Sequence, residues 1–536
     1  MHTKYKEIII TGLLLVSLIW GCGEPMQTGG ELEEYTSEKD LGTTIGSVTE
    51  MFAFGAIAVE GYALVGGLNG TGSAECPPQI RAYLEKYILT QFGDRKIDPK
   101  GFIQSRDTAV VLVRGIIPAV VSKNERFDVR VSALEGTQTT SLRGGQLWGA
   151  ELREAGRFGL ATKVLATAEG PVFIDTINTA KIGERVGYVL AGGKVLDEYK
   201  IRLVLRQPDL RTTSQIRNRL NERFWPETAK AVPPDQIELN VPAKYKKQKQ
   251  QFLSIVQAMY LTETDELTKK RINAFIRKLA VSEDKQAGEV GLEAIGNKST
   301  EKLTALLNSS NEEVRLRAAR CMLRLGDERG LKSIREIAMD KGSAYRLEAL
   351  EALSMAAGRK EAAGTLRTLL RDENFEIRLA AYETLRKLDD IAIRQSLVGR
   401  RFYLEEITQV SGKGIFVSRS GEPRIVLFGS PIQCSDNIFI ESADGNITIN
   451  GPAGRKYVSL IRRHPKRPDE IIQLKTSFEV SDIIRGLCEE PVVKEGSGLR
   501  PGLGVSYADA IALLKQMCDK GAIATEFRAG AVPKIE

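Results

Sequence analysis

Hydrophobic and polar residues alternate along much of the first half of the chain. The alternation is clearest over 127–134, where the side-chain class changes at nearly every position, as in a strand with one buried face. Further strands are predicted over 57–65, 108–115, 163–168, 171–175, 186–190 and 200–206. Amphipathic helices are predicted over 78–92 and 213–224. The pattern predicts a β-rich domain over residues 51–245.

The pattern changes to a helical period between residues 250 and 395. The segments 311–319 and 374–381 have similar sequences, and a third similar segment, 344–350, lies between them. The corresponding positions Val314, Tyr345 and Ile377 are 31 to 32 residues apart. This spacing is typical of stacked helical pairs, and the Asp/Asn-x-x-Val/Ile-Arg-x-x-Ala pattern looks like HEAT-type repeats. The aspartate or asparagine is expected to cap the second helix of a pair. The sequence therefore predicts an all-α repeat module whose shared core contains Val314, Ala318, Ile377 and Ala381.

Short alternating segments return between residues 400 and 536. They predict strands over 414–418, 424–428, 438–440 and 446–449. An amphipathic closing helix is predicted over 507–520, with Gly521 as its stop. The predicted fold is thus a multidomain α+β protein, in which a β-rich body made of the N- and C-terminal parts is interrupted by the helical-repeat module.

The first 22 residues have the layout of an export signal. Lys4 and Lys6 precede a short apolar stretch over 8–20, which is followed by Gly21 and Cys22. This ending resembles a bacterial lipoprotein signal with Cys22 as the lipidated residue, and an ordinary signal peptide with an incidental cysteine remains the alternative. Residues 23–50 are polar and acidic, and they are interpreted as a tether.

Cysteine and histidine usage narrows the chemistry. Besides Cys22, the chain has five cysteines and no CxxC pair, which disfavours a structural zinc site. Their pairing stays open for Cys76, Cys321, Cys434, Cys488 and Cys518; Cys321 lies on an apolar helical stripe and is predicted to be a core residue. The two histidines are His2, inside the signal, and His464, so most histidine-based catalytic and metal sites are disfavoured.

Neither the charged runs nor the glycine cluster of the sequence predicts a ligand-binding site. The net charge of +7 is spread over the chain, and the basic runs at 244–249 and 462–467 are interpreted as solvated surface. A glycine cluster over 66–72 lacks the Gly-Lys-Ser/Thr ending of a phosphate-binding loop. We therefore interpret Gly67, Asn69 and Gly70 as turn residues with positive φ.

Several motifs, taken together, resemble the bacterial flagellar P-ring protein family. They are Gly-Tyr-Ala-Leu-Val-Gly-Gly-Leu-Asn-Gly-Thr-Gly over 61–72, the Asp-Val-Arg-Val-Ser segment within 127–134 with Ser-Leu-Arg-Gly-Gly over 141–145, Ala-Glu-Gly-Pro-Val over 168–172, Leu-Arg-Gln-Pro-Asp over 205–209, and 237–242. The closing helix also resembles that of the family. The resemblance covers about 52–245 well and 400–528 less closely. The helical module and the lipid anchor depart from the family pattern.

The resemblance implies a structural subunit of the flagellar basal body P ring, a periplasmic ring around the distal rod. It implies no enzymatic activity, no cofactor and no metal. The implied partners are further copies of the chain, the flagellar rod and L-ring proteins and peptidoglycan, without nucleic acid. The implied location is the periplasm, with Cys22 anchoring the chain to the outer membrane. The alternative is a non-flagellar envelope lipoprotein that uses a P-ring-like fold to bind cell wall or a protein partner.

Nine residues match the family motifs and are the candidate sites. They are Gly67, Asn69, Gly70, Arg143, Gly144, Gly145, Arg206, Pro208 and Asp209. One interpretation is that they keep the fold: the glycines supply backbone freedom, Pro208 fixes φ, and Asp209 caps the helix near residue 213. The other is direct contact with a neighbouring subunit. Both make the sites matter for assembly, not for turnover.

Overall fold

The structure is a computed structural model. It describes residues 41–536 except 54, 93–97, 157–161, 178–182, 198–199, 233–234, 247, 356–358, 465–466, 492–501 and 536. The predicted signal over 1–22, Cys22 and most of the predicted tether lie outside the described residues. No helix within the described ranges is long and apolar enough to cross a membrane.

The N-terminal part contains two β structures. Its elements are α1 (Ile45–Val48), β1 (Thr49–Phe52), β2 (Ile57–Gly66), α2 (Pro78–Phe92), α3 (Pro99–Ile103), β3 (Thr108–Ile117), β4 (Arg126–Ala133), β5 (Gln146–Glu154), β6 (Ala166–Pro171), β7 (Val186–Val195), β8 (Ile201–Leu205), α4 (Leu210–Arg223), β9 (Ala229–Val232), β10 (Gln236–Leu239) and α5 (Lys249–Ala258). Strands β2-β3-β4-β7-β6-β5 close into an antiparallel barrel, and β1-β8-β10-β9 form a small antiparallel sheet.

The barrel core follows from alternation along its strands. In β4 every second side chain is buried, and Val129 and Val131 are fully enclosed. The ring of Phe127 fills the space over two strand glycines, since a Cβ on Gly115 or Gly193 would lie 2.7 Å from it. The helix predicted over 78–92 and the predicted strands other than that over 171–175 are confirmed, with shifts at their ends.

Two differences in the barrel have physical reasons. The strand predicted over 171–175 is wrong: β6 ends at Pro171, and Phe173 makes only an isolated bridge with Tyr188. The alternation pattern missed β5 because its pairing shifts between Leu147 and Ala150, which breaks the two-residue period.

The small sheet and its helices form a second core at the N-terminal side. Ile45 of α1 is fully buried and β1 pairs with β8, so the last residues of the predicted tether are folded and the body begins before residue 51. Helix α5 places Phe252 and Ile255 in the same core as Leu203. The predicted helical module therefore starts with a helix that packs on the small sheet.

The helical segment consists of α6–α13. Its helices are α6 (Asp265–Val281), α7 (Lys285–Ile295), α8 (Thr300–Leu306), α9 (Glu312–Leu325), α10 (Leu331–Met339), α11 (Arg346–Leu353), α12 (Arg359–Leu369) and α13 (Phe375–Lys387). The Asn311 side chain accepts a hydrogen bond from the Val314 amide, and Asn374 accepts one from Glu376, which confirms both predicted caps.

The helical segment has two apolar cores, not one. Val314, Ala318, Ile377 and Ala381 are all buried, as predicted. Ala318 belongs to a core built around α6–α9, whereas Ile377 and Ala381 belong to a second core. That second core also contains Phe416, Val426 and Phe428 of the following sheet. The last helix of the segment thus packs on the C-terminal part, and assignment to HEAT repeats stays a prediction.

The C-terminal lobe contains two sheets and two helices. Its elements are β11 (Arg394–Val398), β12 (Phe402–Ile407), β13 (Gly414–Val417), β14 (Arg424–Phe428), β15 (Ile438–Glu441), β16 (Ile447–Gly451), β17 (Val458–His464), β18 (Arg467–Thr476), α14 (Val480–Cys488), α15 (Tyr507–Asp519) and β19 (Glu526–Ala529). The sheet orders are β11-β12-β14-β13-β19 and β15-β16-β17-β18. The four predicted strands are confirmed, and so is the closing helix, which ends just before Gly521 at φ 72°.

Candidate functional site

One family motif lies where the barrel meets the C-terminal lobe. Arg143 precedes β5 and reaches Asp509 in the first turn of α15, with Nη2–Oδ1 and Nε–Oδ1 distances of 2.5 and 3.0 Å. The side chains of Arg143 and Asp509 are mostly buried, and Glu184 Oε1 lies 3.9 Å from Arg143 Nη1. Removal from water strengthens such a pair but requires that each charge keep its partner. We call this region, with the contacts described next, the barrel–lobe joint.

The pair is embedded in a wider group of charges. Burial acts to lower the pKa of Arg143, but attraction to Asp509 outweighs it and leaves the pKa above its usual value. Burial acts to raise the pKa of Asp444 nearby, but hydrogen bonds from Ser442 and Asn446, with the positive charge of Arg143, hold that pKa below its usual value. Asp444 therefore stays charged at neutral pH, close to the positive charge of Arg143.

The two glycines after Arg143 have different tasks. Gly144 has φ +73°, with open space where a side chain would be. Gly145 has no room, because a Cβ there would lie 2.4 Å from Val65 and 2.7 Å from Leu68. The first supplies a left-handed turn and the second a close approach to the barrel core.

Two further carboxylates make contacts across the barrel–lobe joint, and neither was among the candidate residues. Asp128 of β4 accepts hydrogen bonds from the Gly421 amide at 2.9 and 3.0 Å and from the Ser420 hydroxyl at 2.6 Å. Asp175 binds buried Arg419 at 2.9 Å. Asp128 is half-buried within the motif over 127–134. A polar residue among the apolar residues of that motif was the feature of the sequence that could have indicated its role.

An apolar core continues through the joint. Tyr188 and Leu190 of β7, with Phe173 just after β6, share a core with the C-terminal lobe. Tyr507 lies between Phe173 and Phe402, with ring centres 6.0 and 5.1 Å apart, and its hydroxyl donates to the Ser418 carbonyl at 2.7 Å. A cavity of about 150 Å³ remains beside this contact. In the described ranges no three His, Cys, Asp or Glu side chains are grouped to hold a metal ion.

The other candidate residues divide between two places. The turn of Gly67, Asn69 and Gly70, with φ 78°, 52° and 92°, adjoins the Arg143 motif, since the Thr71 hydroxyl donates to the Ser141 carbonyl at 2.8 Å. This confirms the prediction of positive φ at these three positions.

Arg206, Pro208 and Asp209 lie instead in the connection between β8 of the small sheet and α4. Arg206 is 3.6 Å from Glu50, and both side chains are more than half exposed. Asp209 caps α4, accepting from the amides of Arg211 and Thr212, as predicted. Hydrogen bonds from Thr212 lower the pKa of this exposed carboxyl.

The described cysteines are all free thiols: Cys76, Cys321, Cys434, Cys488 and Cys518. Cys321 is fully buried among apolar residues, as predicted. Burial raises the pKa of the Cys434 thiol to about 11, which keeps it protonated at neutral pH.

Comparison with known proteins finds a family match for the N-terminal part. Residues 45–284 match the family model described as FlgI, flagellar P-ring protein. The match runs from α1 to the residue before α7, so it includes the barrel, the small sheet, α5 and α6. All nine candidate residues lie inside it. It extends past the predicted domain boundary at 250 and covers less than half of the chain.

Curated relatives give the same result. A flagellar P-ring protein of Thermotoga maritima is 32% identical over 211 residues, which are 37% of this chain and 60% of that protein. Those of Anaeromyxobacter sp. strain K and Nitrosomonas europaea are 32% and 30% identical, covering 38% and 40% of this chain and 56% and 60% of the relative. The chain thus spans about 60% of the length of these relatives.

Proposed function

We propose that this chain is a structural subunit of the flagellar P ring. The match of residues 45–284 to the flagellar P-ring family model carries this proposal. The role is non-enzymatic: many copies form a periplasmic ring around the distal rod of the basal body, next to the L ring and within peptidoglycan. The N-terminal segment exports the chain, and Cys22 anchors it to the outer membrane.

The barrel–lobe joint supports a role of the candidate residues in assembly. Arg143 and Asp509, together with Asp128 and Asp175, hold the P-ring-like barrel against the C-terminal lobe. Each ring subunit needs a fixed angle between the parts that touch its two neighbours, because a closed ring repeats one rotation. The motif residues set this angle within a subunit, and α7–α13, which lie beyond the matched residues, form a HEAT-like addition to the ring-forming body.

The test is deletion of the gene followed by complementation. We expect the deletion strain to lose the P ring from isolated basal bodies and to lose swimming, and the intact chain to restore both. Arg143→Glu should fail to restore rings, whereas Arg114→Glu, at a more than half-exposed barrel arginine outside the candidate residues, should restore them. Rings of normal appearance in the deletion strain would contradict the proposal.

The alternative of a non-flagellar envelope lipoprotein has its own outcome. The matched residues cover less than half of this chain, so the remainder has room for another role. Normal motility in the deletion strain, with the chain recovered on cell-wall sacculi, would favour that alternative. Mass spectrometry of the mature N-terminus tests the anchor separately, because cleavage before Cys22 must leave an acylated cysteine.

A further inference from the structure

The four-stranded sheet of the C-terminal lobe has an edge strand at each end. Strand β15 is one edge and β18 is the other, and each pairs with a single neighbour within the described sheet. Phe439 on β15 is 60% exposed, and Ile471 and Ile472 on β18 are 58% and 43% exposed. A strand with one unpaired side can accept a further strand along its backbone. The four residues of β15 would cover 473–476 of β18 and leave Ile471 and Ile472 just beyond the pairing.

We propose that β18 of one copy pairs with β15 of the next, joining these sheets head to tail around the ring. This proposal rests on the proposed ring function and adds the interface. It concerns the part of the chain beyond residue 284, which the family match does not cover.

The strand directions favour this pairing. All three junctions within the sheet are antiparallel and the sheet has four strands, so β15 and β18 run in opposite directions. A second copy in the same orientation therefore presents β15 antiparallel to β18, and the alternation continues unbroken. The twist between neighbouring strands turns each copy relative to the last, as a closing head-to-tail interface requires.

The register also keeps inner and outer faces in line. The pairing places Ile440, Ile449, Leu460 and Leu474 in one row on the buried face. The next row, on the outer face, contains Glu441, Thr448, Ile461 and Gln473. Extending the rows into the next copy sets its Ile440 beside Leu474 and its Glu441 beside Gln473.

The outer-face charges of the two edges are complementary at this register. Lys475 and Glu441 are both exposed, and the extension sets them diagonally across the new junction, within reach of a long side chain. Phe439 of the next copy would lie directly beside Lys475, whose ammonium already lies 4.5 Å from the Tyr457 ring centre. Glu470, also on β18, lies beyond the four-residue span of β15.

The test is a disulfide between copies. In one molecule, positions 441 and 473 are three strand spacings apart, about 14 Å, which is too far for a disulfide. In adjacent copies they would face each other at about 5 Å. Oxidation of the full chain carrying Glu441→Cys and Gln473→Cys should therefore give a ladder at multiples of the chain mass. Two controls should give no more disulfide-linked multimers than the unsubstituted chain does. One is each single cysteine variant, and the other combines Glu441→Cys with Lys332→Cys, at an exposed position on a helix.

A charge exchange sharpens the test, since the cysteines remove Glu441. Lys475→Glu should reduce the yield of rings at least several-fold, and adding Glu441→Lys should restore it. Rings that form without the ladder would overturn this interface while leaving the ring function intact. A ladder without rings in basal bodies would support the interface and contradict the P-ring function. A single adduct of another mass would mean that a different protein occupies the edge, and would overturn the proposal.

Discussion

The barrel of strands β2–β7 and the helical segment α6–α13 exclude water in different ways. Among the described barrel residues, those that are buried are uncharged, and most are valine, alanine, isoleucine or leucine. The helical segment buries Arg271, Glu289, Glu293, Arg346 and Arg378. Glu289 alone receives hydrogen bonds from Arg317, Arg320 and Arg324 of the next helix pair, at 2.6 to 3.2 Å.

The difference shows two ways of fixing a structure. In the barrel, the two-residue period decides which face of each strand is buried, and closure leaves no free edge. In the helical segment, apolar stripes alone would allow neighbouring helices to slide, and the Glu289–arginine contacts select one alignment of α7 with α9. Such contacts add little net stability, but losing one partner is costly.

The largest effect is expected from placing a charge in the barrel. Val113 of β3 is fully buried, and we expect Val113→Asp to destabilise the barrel by more than about 5 kcal/mol, since the carboxylate has no partner there. Val113→Ala should cost about 2 kcal/mol. Denaturant titration followed by the fluorescence of Trp148, which lies on β5, measures both. Similar costs for the two variants would mean that the barrel interior admits water or a counter-charge.

Removing a charge should be the costly change in the helical segment. Glu289→Gln leaves three arginines around a neutral side chain, and we expect a loss of about 3 kcal/mol. The control is Glu301→Gln, because Glu301 is 86% exposed and its pair with Arg329 should contribute less than about 1 kcal/mol. Circular dichroism at 222 nm follows the helices. Equal losses would show that Glu289 is not held as a buried charge.

The same contrast explains what could be predicted from the sequence. The strands β3, β4, β13 and β14 and the caps Asn311 and Asn374 were predictable because each depends on residues close in sequence. Strand β5 was not, since its bulge breaks the period. The Glu289 cluster joins residues 28 to 35 positions apart, and no local pattern distinguishes Glu289 from an exposed glutamate.

The candidate site was predicted in part for the same reason. The turns at Gly67–Gly70 and Gly144 and the cap at Asp209 are local features, and the motifs contain them. The pairing of Arg143 with Asp509 spans 366 positions, and that of Asp175 with Arg419 spans 244. Such contacts depend on how the barrel and the lobe meet, which a single sequence does not encode as a pattern.

A smaller effect separates the two glycines of the joint. Gly145→Ala should cost about 2 to 3 kcal/mol, because the new methyl group collides with Val65 and Leu68 on the barrel side. Gly144→Ala should cost about 1 kcal/mol, from the positive φ alone. Thermal unfolding of both variants tests the order. The reverse order would mean that the barrel core adapts to an added methyl group more easily than the turn adapts to a Cβ.

The smallest effect is a pH dependence that arises from a buried glutamate of the helical segment. Burial, with a contribution from neighbouring Glu289, raises the pKa of Glu293 above its usual value of 4.5, against the opposing effect of Arg324. The folded form therefore binds this proton more tightly than the unfolded form does. The stabilising contribution is complete below pH 4.5 and is lost as the pH rises through the raised pKa.

Glu263 provides a contrast of opposite sign. Burial acts to raise its pKa, but Arg219 and Lys298 outweigh that and lower it, so its contribution is present above pH 4.5 and is lost in acid. In Glu293→Gln, the free energy of unfolding should decrease less steeply from pH 4.5 upwards than in the unsubstituted chain. In Glu263→Gln, the loss of stability in acid should be smaller instead. Measuring unfolding by circular dichroism at several pH values separates the two, and an unchanged slope in Glu293→Gln would mean that this buried carboxyl is ionised across the range, as its arginine neighbours favour.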